Sequence, residues 1–280
     1  SQPIILDATP PQAKVTAEPV IFSPNGDGKQ DAATFTIGAD GGNQWTGSVI
    51  TSDGRVIKSF NWKGNPPASI IWDGTDDGNS HAPDGTYRFR LEGLDLAGNR
   101  TVVESTPVTL DARRPAATIT SDLTAFSPNK DGFADSVKIR LVSAFTDGLA
   151  HFIVEIRDRN GTRVRRLTEG THLDQSAQFL WDGSLDDGLT IALDGEYTPW
   201  AQLEYAKGDQ ITLSGKAIRL DRTPPNISIS LGPQPFSPDG DGVNDVLSIK
   251  LSAEDASEIN GWKLSILDPA GSIFTSFSGK

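Results

Sequence analysis

Residues 22–31 read FSPNGDGKQD, and the stretch returns as FSPNKDGFAD at 126–135 and as FSPDGDGVND at 236–245. A match of this length that recurs at domain-sized intervals indicates internal repeats. Gly supplies positive φ, and Asn and Asp side chains cap nearby backbone amides, so each copy predicts a tight loop. We name the three copies loop 1, loop 2 and loop 3, and we expect each to hold the same place in one of three related domains.

Apolar and polar residues alternate directly after each loop, which predicts a strand with one buried face. A hairpin signal follows, then a WDG segment at 72–74 and 181–183, then DG-x-Y at 84–87 and 194–197. About seven short strands in roughly 100 residues predict an immunoglobulin-like sandwich. The predicted fold class is therefore all-β, with tandem immunoglobulin-like (fibronectin III-like) β-sandwiches forming an elongated rod. The aligned apolar positions are Ala33, Phe35, Ile37, Val137, Ile139, Leu141, Leu247, Ile249 and Leu251.

A Leu-Asp pair followed by proline-containing sequence occurs at 6–7, 110–111 and 220–221, and it predicts stiff domain junctions. Residues 1–8 then correspond to the last strand and linker of a preceding repeat. Residues 9–112 form the first domain, 113–222 the second, and 223–280 the first half of a third. Half a sandwich exposes an apolar face and an open strand edge. We therefore expect residues 226–280 to belong to a longer protein, or to be completed by strands of a neighbouring chain.

The motifs together resemble two bacterial modules, the Ig-like domain of the flagellar hook-capping protein and the gliding-motility-associated C-terminal module. The segments that carry the resemblance are FSPNGDG, then WDGTDDG at 72–78, PDGTY at 83–87 and LDLAGN at 94–99. It covers 12–111 well and 226–280 as far as the hairpin. Over 116–221 it is less close, because Lys130 replaces a loop glycine and LEYAKGD at 203–209 replaces LDLAGN. The resemblance implies a spacer, a surface repeat or an appendage of an exported protein.

Composition argues against several classes of function. The net charge is −12 and the pI about 4.7, which disfavours nucleic acid and anionic membrane surfaces as partners. Cysteine is absent, so disulfides, thiolate metal sites and cysteine nucleophiles are excluded. No apolar run approaches the roughly 20 residues that membrane insertion requires. No catalytic motif occurs, and the sequence predicts a protein that is not an enzyme.

The three loops are also the best candidates for a metal site. Asn or Asp alternates with Gly as at the start of a calcium loop, where Ca²⁺ takes six to eight oxygens. The same oxygens could instead cap backbone amides, and the bidentate Glu that closes an EF-hand loop is absent. The candidate Ca²⁺ ligands are Asn25, Asp27, Asp31, Asn129, Asp131, Asp135, Asp239, Asp241 and Asp245.

The leading functional prediction is a structural spacer or adhesion segment of a larger bacterial cell-surface or secreted protein. Its location would be extracytoplasmic, and its partners would be the other domains of the same protein. The first alternative is an accessory module of a secreted enzyme that binds a glycan or protein ligand, with Trp45 or Trp62 stacking on sugar rings. The second alternative is an adhesin segment made rigid by Ca²⁺.

Overall fold

The first repeat is a sandwich of two sheets in the computed structural model, which describes residues 6–280. One sheet has the order β1-β3-β6, and the other has the order β2-β9-β7-β4-β5, with β8 pairing farther along β7. Residues 1–5, which form most of the strand and linker predicted for residues 1–8, lie outside the described residues. The strands are β1 (Gln12–Glu18), β2 (Ile21–Phe22), β3 (Ala33–Asp40), β4 (Gln44–Thr51), β5 (Val56–Lys63), β6 (Ser69–Trp72), β7 (Gly85–Leu94), β8 (Arg100–Glu104) and β9 (Val108–Leu110).

The chain changes sheets between β1 and β2, at Pro19. Proline has no N–H to donate to a ladder, so antiparallel pairing of β1 with β3 ends at Glu18. The chain then joins the opposite sheet, where β2 pairs in parallel with β9. β8 and β9 are also consecutive in the chain, but both pair with β7 in a single sheet, so they are two parts of one strand. Counting each of these two pairs as one strand gives the seven strands that the sequence predicts.

Aromatic side chains fill the core of the first repeat. Phe35 stacks on Phe89 with ring centroids 4.9 Å apart, and Trp72 meets Tyr87 edge-on at 4.8 Å. The buried indole is satisfied, because Trp72 Nε1 donates to the Thr75 carbonyl at 2.8 Å. The predicted inward positions of β3 are all buried. Each large apolar side chain buried in this way contributes about 1.5–3 kcal/mol.

The second repeat reproduces this architecture with the sheets β10-β12-β15 and β11-β18-β16-β13-β14, and β17 pairs with β16. Trp181 takes the place of Trp72, with its ring 5.2 Å from Tyr197. The strands are β10 (Ala117–Ser121), β11 (Ala125–Phe126), β12 (Val137–Ser143), β13 (Leu149–Asp158), β14 (Arg163–Gly170), β15 (Ser176–Trp181), β16 (Gly195–Tyr205), β17 (Gln210–Ser214) and β18 (Ile218–Leu220).

The third repeat consists of two separate two-stranded sheets. β19 pairs with β20 and β21 pairs with β22, and within the described residues neither sheet has a third strand. Their apolar faces line an open groove, so several large side chains that would be core residues in the other repeats are exposed. The strands are β19 (Asn226–Gly232), β20 (Ser248–Glu254), β21 (Trp262–Leu267) and β22 (Ile273–Gly279).

Strand register shows that the chain enters each complete repeat at one end and leaves it at the other. In the first repeat Gln12 pairs with Asp40 and Gln44 with Leu94, which places the start of β1 and the β7–β8 turn at one end. At the opposite end Phe22 pairs with Leu110, so loop 1 lies beside the point where the chain leaves. The second repeat has the same register. Successive repeats therefore meet end to end, as the predicted rod requires.

Candidate functional site: the loops and the joint between repeats

Loop 1 is held by its own backbone amides. Asn25 Oδ1 accepts from the Asp27 amide at 2.9 Å, and Asp27 Oδ1 accepts from the Lys29 amide at 2.8 Å. Asp31 closes the loop, because its two carboxylate oxygens accept from the amides of Gly26 and Gly28 at 2.7 and 2.8 Å. These are the Asx-type bonds that let a polar loop turn without help from other elements.

Loop 2 repeats this pattern despite its altered sequence. Asp135 accepts from the amides of Lys130 and Gly132, and Asn129 and Asp131 cap amides as their counterparts do. Lys130 takes the left-handed conformation of the glycine that it replaces, with φ at 67°. The hydrogen-bond frame of the loop therefore tolerates a side chain at a position where glycine is the least strained choice.

Loop 3 has an aspartate where the other loops have asparagine. The carboxylates of Asp239, Asp241 and Asp245 offer oxygens within 4.8 Å of one another. Asp245 nevertheless accepts from the amides of Gly240 and Gly242, each at 2.8 Å, and these bonds lower the pKa of its carboxyl.

The loop residues fit amide capping better than a calcium cage. Calcium takes six to eight oxygens, whereas loop 3 brings three carboxylate oxygens together. In every loop the last aspartate accepts from two backbone amides. One amide bond on each oxygen of the last aspartate already satisfies the backbone of the loop without a cation. The nine predicted ligands are therefore grouped as three loops, each of which satisfies its own backbone.

Loop 1 has a second role, because it contacts the turn of the second repeat between β16 and β17. Lys29 Nζ donates to Gln210 Oε1 at 3.1 Å, and Asn25 Nδ2 donates to Asp209. At the centre of the contact the two backbones come close. A Cβ on Gly208, whose φ is +98°, would lie 2.8 Å from the Lys29 carbonyl oxygen. Residues 205–210, which we call the hairpin tip, therefore need glycine at this position.

Lys207 in the hairpin tip is the buried centre of this joint, and only 2% of its surface is exposed. Its ammonium donates to the Asp111 carbonyl at 3.2 Å, to Asp111 Oδ1 at 3.3 Å and to the Arg113 carbonyl. It also lies 3.2 Å from Asp209 Oδ2, although the alignment does not make a hydrogen bond. A buried lysine is tolerated only when its charge is paired and its donors are used.

Arg113 completes the charge network on the linker between the two repeats. Its guanidinium binds both oxygens of Asp111, at 3.0 and 2.7 Å, and reaches Asp147 at 2.6 Å. It also lies over the Phe145 ring, 4.5 Å from the centroid. Because of Arg113 first, and Lys207 after it, the pKa of Asp111 falls to about 2. The linker is therefore clamped at neutral pH by two charged side chains of the second repeat, Lys207 and Asp147.

Weaker versions of the clamp occur at the other two linkers. In the first repeat Ala97 stands in the position of Lys207. The contact with the linker is made instead by Asn99, whose Nδ2 donates to the Asp7 carbonyl at 3.2 Å. In the third repeat Ser257 Oγ donates to Asp221 at 2.6 Å. The joint was not predicted from the sequence. The departure of LEYAKGD from LDLAGN was its only signal, and it did not reveal which residue the added lysine would meet.

The structure corrects one proposed ligand contact. Trp45 is fully buried within β4 and cannot stack on a sugar. Trp62 is half-buried, parallel to Phe60 with ring centroids 5.9 Å apart, and it keeps an accessible surface. The indole of Trp200 is covered by Arg157, whose guanidinium carbon lies 3.4 Å from the ring centroid. Trp62 and Trp200 are both half-buried, and because Arg157 lies over the ring of Trp200, Trp62 is the better candidate for a ligand contact.

The comparisons with known proteins concern the fold. No protein-family model matches the chain, and no curated protein matches it. It is similar to the solved tetra-tandem repeat in the extending region of a large adhesion protein, with 16% identity over 95% of this chain and 62% of that chain, at a TM-score of 0.32. This chain therefore spans less than two thirds of that structure.

Two further solved structures are similar. For the fibronectin(III)-like modules of Clostridium thermocellum CbhA, identity is 13% over 74% of this chain and 95% of that chain, at a TM-score of 0.35. For a 1.5-MDa bacterial ice-binding adhesin, identity is 13% over 80% of this chain and 70% of that chain, at a TM-score of 0.39. The strand order and pairing define the chain as tandem immunoglobulin-like, fibronectin III-like sandwiches. Within residues 6–280 no helix is long and apolar enough to cross a bilayer.

Proposed function

We propose that this chain is a non-catalytic structural segment of a larger extracytoplasmic bacterial protein, cell-surface or secreted, that holds other parts of that protein at a distance or presents them for adhesion. The observation that carries the proposal is the clamped end-to-end joint between the first and second repeats. Lys207 bonds to the linker at Asp111 and Arg113, while the same hairpin tip contacts loop 1. The hairpin tip of the second repeat is thereby fixed both to the linker and to loop 1 of the first repeat, which opposes the bending that a spacer must resist.

The alternative proposals rest on fewer contacts. A glycan- or protein-binding module would use the exposed part of Trp62, since Trp45 is buried. A calcium-rigidified adhesin segment would use the carboxylates of loop 3, which lie close together. Neither alternative accounts for the burial of Lys207 at the joint, whereas the spacer does.

A distance measurement between spin labels tests the spacer. The chain has no cysteine, so Asn65→Cys in the first repeat and Gln178→Cys in the second can be labelled selectively, and both positions are exposed. We expect one narrow distance distribution for the otherwise unchanged chain. Lys207→Ala should broaden it, because Asp111 and Asp209 would lose their shared cation.

Lys216→Ala is the matched control, since Lys216 is an exposed lysine of the same repeat. It should leave the distribution unchanged. Circular dichroism of each variant would show that the sheets remain folded. A broad distribution for the unsubstituted chain would rule out a stiff joint. Saturable polysaccharide binding that is lost in Trp62→Ala would favour the binding module instead.

A further inference from the structure

The groove of the third repeat has the shape and chemistry of an incomplete sandwich core. It encloses about 510 Å³, and its lining includes Ile249, Leu251, Trp262, Leu264 and Phe277. In the complete repeats, the residues aligned with Ile249 and Leu251 are fully or almost fully buried. There β7 and β16 supply much of the opposing apolar face, through inward residues that alternate along each strand.

One edge of β21 is open at the place where those strands would pair. Its counterparts β4 and β13 each lie between two strands, β5 and β7 in the first repeat, and β14 and β16 in the second. In the third repeat β22 takes the place of β5 and β14, whereas no strand occupies the other edge within the described residues. A single strand with alternating apolar side chains would therefore both fill the groove and pair with the open edge of β21.

Loop 2 gives an independent indication in a different repeat. Phe133 holds the position at which Lys29 of loop 1 meets the hairpin tip, and 75% of its surface is exposed. The backbone frames of the two loops match, with Ser23 donating to the Gln30 carbonyl and Ser127 to the Ala134 carbonyl, each at 2.9 Å. Loop 2 is thus the same docking surface as loop 1, with an exposed apolar residue in place of a lysine.

One element meets both requirements in the second repeat. The β16–β17 hairpin pairs through β16 with β13, while its tip docks on loop 1. We infer that the groove of the third repeat and loop 2 form one composite acceptor for a β-hairpin of this type. Its first strand would pair with β21 and place alternating apolar side chains in the groove. Its tip would carry glycine against loop 2 and a lysine toward the buried Asp221, the counterpart of Asp111.

The last residue of the hairpin tip sets the specificity. Gln210 at that position meets Lys29 through a hydrogen bond. An apolar residue there would instead cover Phe133 and remove its exposed ring from water, which favours binding. The occupant is therefore a repeat-type hairpin with an apolar residue in place of Gln210.

Hydrogen exchange on the full 280-residue chain tests the inference, with a synthetic peptide of residues 195–214 carrying Gln210→Leu as the probe. We expect binding at one peptide per chain and slower exchange of the amides of Trp262–Leu267. Phe133→Lys in the chain should weaken binding about tenfold, which corresponds to 1.4 kcal/mol. A peptide with Tyr197→Ser and Leu203→Ser is the control and should not bind.

Two results would overturn the composite acceptor. One is exchange in β21 that the peptide leaves unchanged. The other is binding that Phe133→Lys does not weaken, since loop 2 would then take no part. Phe133 is exposed on the complete second repeat, so its replacement leaves that fold intact. Sedimentation that shows a stable dimer, undisturbed by the peptide, would assign the groove to a second copy and also contradict the inference. Failure here is separable from the spacer proposal, which the spin-label distances test.

Discussion

Lys207 shows how one buried side chain can fix the contact between two repeats. Removing an ammonium from water is costly, and the cost is offset here by two carbonyl oxygens and two carboxylates. Deleting one partner of such a buried pair typically costs about 3–5 kcal/mol. The sequence placed a lysine in a turn but could not place Asp111 beside it, because their meeting depends on how two folded repeats abut.

Acid should loosen the joint through Asp111. The pKa of its carboxyl is about 2 in the folded chain and about 3.9 when unfolded, so its stabilisation is complete above about pH 4. As the pH falls from 4 to 2, about 2 kcal/mol should be lost. Denaturant unfolding across this range should show a smaller pH dependence for Asp111→Asn than for the unsubstituted chain. Equal slopes for the two proteins would contradict this assignment.

At the scale of elements, the sequence predicts the strands well. The alternation after each loop correctly identifies the buried face of β3 and β12, and the Asp-Gly turns correctly predict the hairpins. The change of sheet at Pro19 was not predicted, because period-two alternation specifies a buried face but not which sheet a strand joins. Amide capping in the loops was one of two readings of the same residues, which spacing alone could not separate.

The packing of β4 against β7 depends on a glycine. Gly93 is the cross-strand partner of Trp45, and a Cβ added there would lie 2.4 Å from the indole ring. Gly93→Ala should therefore lower the free energy of unfolding of the first repeat by about 1–3 kcal/mol, as overpacking usually does. Gly38→Ala is the matched control, since an added Cβ meets nothing within 4 Å. Denaturation midpoints would compare the variants, and equal losses would refute the packing explanation.

At the scale of the whole molecule, the repeats and their end-to-end order follow from sequence periodicity. The clamps do not, because Lys207, Asn99 and Ser257 reach three equivalent linkers by different chemistry. A pattern search aligns residues of one type, whereas these three residues differ in type, and Ser257 lies in the β20–β21 connection while Asn99 and Lys207 lie in the β7–β8 and β16–β17 turns. Differences between joints are thus invisible until the repeats are placed next to one another.

Calcium should have little effect on the chain as a whole. The last aspartate of every loop already accepts two backbone amides. We expect the melting temperature to be the same in Ca²⁺ and in a chelator, at matched ionic strength. If Ca²⁺ raises it and Asp245→Asn removes the increase, loop 3 binds the ion and the calcium-rigidified alternative gains support. Asp53→Asn, an exposed turn aspartate outside the loops, serves as the control.

The parallel pairing of β2 with β9 has a mechanical consequence. Tension along the rod would pull β2 toward the end where the chain enters a repeat and β9 toward the end where it leaves. Two parallel neighbours drawn in opposite directions slide past each other, so their hydrogen bonds are loaded together rather than opened one at a time. The second repeat has the same arrangement in β11 and β18. Each complete repeat would therefore resist stretching in shear, and its lifetime under load would be set by its unfolding rate.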